Sequence, residues 1–84
     1  MTIIVDNRRI ERITAIGELR FGRDWMAKMA VAAGIDRTTM PAIVSGRRRL
    51  TEVTFQKIVA GIDKDLEVAA INIEKAKALR AKLK

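Results

Sequence analysis

The chain has 84 residues, a net charge of +7 and 49% hydrophobic residues, which suits one small domain around a single core. It contains no cysteine and no histidine. A disulfide framework, a thiolate metal site, the commonest zinc ligands and the commonest general base are thereby excluded. No apolar run approaches a membrane span, and Thr2–Val5 is too short for a signal-peptide core.

Met1–Val5 is apolar and β-branched, and its pattern suits a small strand, a flap over the core or an ordered arm. Asp6 and Asn7 offer an N-cap for a first helix that runs through Ile10, Ile13, Ile16 or Gly17 and Phe21, with Gly22 as the left-handed residue closing it. Asp24 caps a second helix whose apolar stripe is Met26, Met29, Ala30 and Ala33, and Gly34 ends it. Asp36, Thr38 or Thr39 caps a third helix that buries Met40, Ile43 and Val44 and stops at Ser45 and Gly46. Thr51 caps a fourth, with Phe55, Ile58, Val59 and Ile62 on one side and Gly61 near its end. Asp63–Asp65 separates it from a fifth helical pattern, Leu66–Lys84, with acids at its start and bases at its finish. The expectation is an all-α, five-helix fold: a helix-turn-helix domain over residues 1–65 (arm 1–5) with four helices, and a long C-terminal fifth helix at 66–84.

Charge is placed unevenly. Ile35–Leu50 sets Asp36 against Arg37, Arg47, Arg48 and Arg49, whereas Glu52–Ile62 balances Glu52 with Lys57. A basic cluster at one turn points to a polyanion, nucleic acid before anionic membrane. Without His or Cys, catalysis would need a pocket of carboxylates, lysines or hydroxyls, and no such clustering is seen, so no enzyme activity, cofactor or metal is expected. The densest cations fall in a loop rather than along a helix face, against membrane binding, and aromatic platforms for single-stranded RNA are lacking.

Asp24–Gly46 also meets the steric demands of a helix-turn-helix. Ala30 is small where two helices cross, Gly34 follows four residues later to make the turn, Ile35 plugs the angle, and Met40 and Ile43 anchor the next helix. With Ser45, Gly46, the basic Arg47–Arg49 loop and Thr51, this stretch resembles the lambda-repressor/Cro-like (XRE-like) family of helix-turn-helix domains, over roughly Asp6–Ile62. The resemblance implies a fold that lays one helix in the DNA major groove. By it, Arg37, Thr38 and Ala42 match positions that read base edges, and Thr39 and Ser45 match positions that touch phosphate or sugar. Arg37 has the chemistry to grip guanine O6 and N7 bidentately. Arg47, Arg48 and Arg49 would lie along the backbone. The family often holds a phosphate with a glutamine at the start of the second helix; Met26 stands there, and Lys28, Arg23 or helix N–H groups would take over.

Pro41 limits where the third helix begins. A start after Asp36 would make it the fifth helical residue and cost a hydrogen bond, whereas a start capped by Thr38 makes it the third, where no N–H is needed. A late start or a kink is expected. Trp25 is expected to pack on the first helix and the methionines to fill the core.

Leu66, Ala69, Ile73, Ala76 and Leu83 share one side of the C-terminal pattern, a candidate homodimer interface. The function that follows is a sequence-specific, double-stranded DNA-binding transcriptional regulator, a repressor of bacterial or phage type, cytoplasmic and associated with the nucleoid. As a dimer it would place two recognition helices about 34 Å apart on a palindromic operator. The alternative is an antitoxin, with Leu66–Lys84 as the extension that neutralises a toxin partner.

Overall fold

In a computed structural model the chain is described from Thr2 to Leu83, with side chains from Asn7 onward; Met1 and Lys84 lie outside the described residues. The described residues are all-helical: α1 (Thr2–Phe21), α2 (Trp25–Ala33), α3 (Thr39–Val44) and α4 (Glu52–Arg80), with one 3₁₀ turn at Gly22–Asp24. Three of these are nine residues or longer and α3 has six, in place of the expected five.

Two sequence expectations fail here. The backbone from Thr2 is already helical, so residues 2–5 form neither strand nor arm, and Asp6 and Asn7 lie inside α1 rather than capping it. The fourth and fifth helical patterns are one continuous helix, because Asp63–Asp65 does not interrupt α4. Asp65 is held there by Arg20, whose Nε donates at 2.7 Å, so its carboxylate does not compete for the local backbone.

Glycines close both α2 and α3. Gly34 (φ 70°) donates to the Val31 carbonyl while Ile35 N–H reaches back to Ala30 at 3.0 Å. Gly46 (φ 85°) donates to Ile43 while Arg47 N–H reaches Ala42 at 2.9 Å. Each is the paired bonding of a Schellman motif, which ends a helix and satisfies its last carbonyls. Gly22 (φ 75°) likewise terminates α1. Asp24 stands at the N-cap of α2 but makes no side-chain cap bond. Thr51 does cap α4, accepting from Thr54 N–H at 3.2 Å.

α2 is the hub, packing against α1, α3 and most extensively α4. The core joins Ile13, Trp25, Met29, Ala30, Met40, Ile43, Leu50, Ile58 and Ile62. Met29, Met40, Ile43 and Ile58 are essentially solvent-free, each contributing about 1.5–3 kcal/mol by burial. Trp25 lies against Gly17 of α1, where even a methyl group would run into the indole. Val44 is exposed, contrary to expectation; a six-residue helix has one inward face, and Met40 and Ile43 occupy it. Gly61, expected near the end of a fourth helix, instead sits within the continuous α4 against the backbone of Ala32 and Ala33 and lets α2 and α4 touch.

Two ion pairs tie α1 to α4: Arg9 to Glu52 at 3.0 Å and Arg20 to Asp65 at 2.7 Å. Both partners advance together along the chain, so α1 and α4 run in the same direction. Arg9 also stacks its guanidinium 4.0 Å above the Phe55 ring. Past Asp65, α4 leaves the body. The radius of gyration is 15.3 Å and the extents 56 × 20 × 19 Å, against about 12 Å for a compact chain of this length.

Candidate nucleic-acid interface

The 3₁₀ turn, the start of α2, the turn before α3 and α3 itself border a groove of about 840 Å³. Its walls carry Arg23 and Asp24 from the 3₁₀ turn, Lys28 from α2, Arg37 and Thr38 from the turn, and Arg47 from beyond α3. Met26, Ala27 and Pro41 make the apolar floor. Four cations against one carboxylate give the groove a strongly positive field. Among the described residues none of Arg23, Lys28, Arg37, Arg47, Arg48 or Arg49 enters a salt bridge. Arg9 and Arg20, outside the groove, are both paired.

The α2–α3 turn is built around Asp36. Its carboxylate accepts from Thr38 N–H at 2.8 Å and from the Thr38 hydroxyl at 2.7 Å. These two bonds, helped by Arg37 and Arg48, hold the Asp36 carboxyl below the usual carboxylate range. Asp36 is therefore the capping side chain, while α3 itself begins at Thr39 with Thr38 in the N-cap position. Pro41 becomes the third helical residue, the late start that its missing N–H favours.

The expected contact residues divide accordingly. Arg37 is exposed and borders the groove. Thr38 also borders it, but its only O–H is spent on Asp36, leaving an acceptor and a methyl group. Ala42 is half-buried, and its carbonyl accepts from Arg47 N–H, Arg48 N–H and the Ser45 hydroxyl. Thr39 is only 5% exposed and is withdrawn from the surface on which a phosphate could reach it. The exposed Ser45 hydroxyl is engaged within the turn: it donates to the Ala42 carbonyl at 3.1 Å and accepts from Arg47 Nε at 3.1 Å. It aims Arg47 into the groove. Lys28 and Arg47 line the groove, whereas Arg48 and Arg49 are exposed beyond it.

Arg23, named in the sequence only as a stand-in, is a full member of the wall. Its signal was its place just before Asp24 at the head of α2, five residues ahead of Lys28. The expected dimer residues lie apart from the groove. Leu66, Ile73, Ala76 and Leu83 are exposed on the projecting end of α4, and Ala69 is half-buried. No helix among the described residues is long and apolar enough to cross a membrane. No protein-family model matches the chain, and neither a curated protein nor a solved structure matches it.

Proposed function

We propose that the protein binds double-stranded DNA through the Arg23–Lys28–Arg37–Arg47 groove and acts as a transcriptional regulator, a repressor that occludes a palindromic operator as a two-fold dimer. The observation carrying this reading is that cations from three separate chain segments converge on one groove lined by a single acid, Asp24, and none of them forms a salt bridge among the described residues, while Arg9 and Arg20 of α1 are paired with acids of α4. Keeping like charges together is costly unless a polyanion shares the site. Arg37 sits just before α3, where it can reach a base edge; Arg23, Lys28, Arg47, Arg48 and Arg49 supply phosphate contacts. This agrees with the resemblance to lambda-repressor/Cro-like helix-turn-helix domains over α1, α2, α3 and the first half of α4. The unbroken α4 departs from that family's five-helix pattern.

The test is a footprint on the DNA upstream of the protein's own coding sequence, with affinity titrated in salt. With six to ten phosphates contacted, affinity should fall by about three to five decades between 50 and 200 mM salt. A flat salt response would refute phosphate recognition. The antitoxin reading draws on the exposed apolar residues of projecting α4. A stable homodimer formed without any partner counts against it.

A further inference from the structure

Beside α4, α1 stops at Phe21, next to the Arg20–Asp65 pair. The face of α4 that the body covers through Ile58, Ile62 and Asp65 then continues with nothing against it among the described residues. Its residues recur at three- and four-residue spacing: Leu66, Ala69, Ile73, Ala76 and Arg80. Leu83 joins them, because Lys82 N–H bonds Leu79 and Leu83 N–H bonds Arg80, each at 3.0 Å. Such a tightened final turn stacks Leu83 beneath Arg80. Leu66 and Ile73 are 47% and 53% exposed, on a strip one helix wide that prolongs the core.

We infer that a second copy of this chain covers this strip with the two α4 segments antiparallel, Leu66 against the partner's Leu83 and Ile73 against the partner's Ala76. The inference rests on the dimer half of the functional reading and is independent of DNA.

Charge sets the direction. Within the overlap Glu67 and Glu74 are the charged residues of the first half, whereas the second half carries Lys75, Lys77, Arg80 and Lys82 and no acid, only Lys77 reaching back to Glu74 at 3.3 Å. Packed helices lie about 8–10 Å apart, close to the screening length of about 8 Å at physiological salt. Parallel pairing would set the two basic halves side by side and face Arg80 with the partner's Arg80. The antiparallel arrangement places basic half on acidic half. It also puts Arg80 opposite the partner's Ala69, whose small side chain leaves room for the arginine stem to run out to water. The Leu66–Leu83 and Ile73–Ala76 layers complete a seam of large residues on large and large on small.

The arrangement has a measurable shape. Overlap from Leu66 to Leu83 spans about 27 Å, so two 56 Å molecules make a particle about 85 Å long. Parallel pairing over the same segment would keep the length near 56 Å. The two Ile58 residues would stand about 50 Å apart along the seam, wider than the about 34 Å of one DNA turn. Operator half-sites are then expected more than one turn apart.

Because the chain has no cysteine, single-cysteine variants test this cleanly. A tagged Leu66→Cys protein mixed with untagged Leu83→Cys should give the mixed dimer with a short bismaleimide, while Leu83→Cys alone should not, its thiols being about 25 Å apart. Small-angle scattering of the unsubstituted protein should give a maximum dimension near 85 Å. Self-cross-linking of Leu83→Cys, or a particle near 56 Å, would overturn the inference. So would absence of the mixed product. In that last case a dimer in sedimentation would mean an interface elsewhere and leave dimeric DNA binding standing, whereas a monomer would remove the dimeric operator as well.

Discussion

The junction that holds α2, and with it one wall of the groove, is the contact of Gly61 with Ala32 and Ala33, so Gly61→Ala is the most direct perturbation of the framework. A methyl group built there would lie 2.8 Å from the carbonyl carbon and oxygen of Ala32 and 2.9 Å from Ala33 N. Ordinary carbon contacts need roughly 3.5–4.0 Å. Every neighbour is backbone, so no rotamer change can relieve the overlap, and α2 must move away from α4. Overpacking of this kind costs about 1–3 kcal/mol, while alanine returns about 0.8–1 kcal/mol of helix propensity over glycine. The net expectation is a loss of up to about 2 kcal/mol. For a domain of this size that lowers the melting temperature by up to roughly 15 °C, read by circular dichroism. DNA affinity measured well below the melt should fall too, since displaced α2 carries Lys28. A variant melting at or above the parent temperature would show that the helices do not meet through backbone at Gly61.

Arg37→Ala should cost about 1–3 kcal/mol on the cognate site and little on random DNA, whereas Arg48→Ala should weaken both alike and flatten the salt slope by about one unit; equal losses for Arg37→Ala would remove it as a base reader. The Asp36 carboxyl titrates below its ordinary range, so its contribution to stability is present above the unfolded value near pH 3.9 and fades as pH falls through the lower folded value. Asp36→Asn should therefore lose less stability than the parent between pH 5 and 3, and an identical acid loss would refute the Thr38 cap. Removing residues 66–84 should leave a folded body, whose core residues all lie upstream, but abolish dimerisation and most operator affinity; sedimentation of a truncated dimer would refute this.

What was legible in the sequence was mostly written in residues with one conformational use. Gly34 and Gly46 had to end helices, Thr51 had to cap, and Pro41 had to sit in the first turn of α3, and each does so. Trp25 on α1 followed from its position beside a helix start. The misreadings came from residues whose local preference is overruled by a distant partner. Gly61 and Asp63–Asp65 together look like a helix end, yet one is a contact point for α2 and Asp65 is bound by Arg20 on α1. Thr2–Val5 has the side chains of a strand, but β-branched residues lose only fractions of a kcal/mol each in a helix. Likewise the cations around the α2–α3 turn could be read directly, but not the occupation of nearby hydroxyls. Thr38 and Ser45 look like free donors until their protons are found on Asp36 and Ala42.

The distribution of arginine partners leads to a further expectation. Arg9 and Arg20 gain both attraction and packing from Glu52, Phe55 and Asp65, so neutralising either should weaken the fold. Lys28 faces a groove shared with Arg23, Arg37 and Arg47 and only one acid. In the free protein its charge is repelled more than it is attracted, and the repulsion is relieved only when a polyanion enters. Lys28→Gln should therefore leave the free protein as stable as the parent or slightly more so, while reducing DNA affinity and the salt slope by about one unit. The stabilisation conferred by saturating duplex, which grows with the logarithm of ligand over dissociation constant, should shrink in step. This opposite movement of free stability and binding separates a recognition charge from a structural one. A Lys28→Gln protein that melts well below the parent in the absence of DNA would mean that Lys28 supports the fold, and the groove would lose its claim to be an unneutralised anion site.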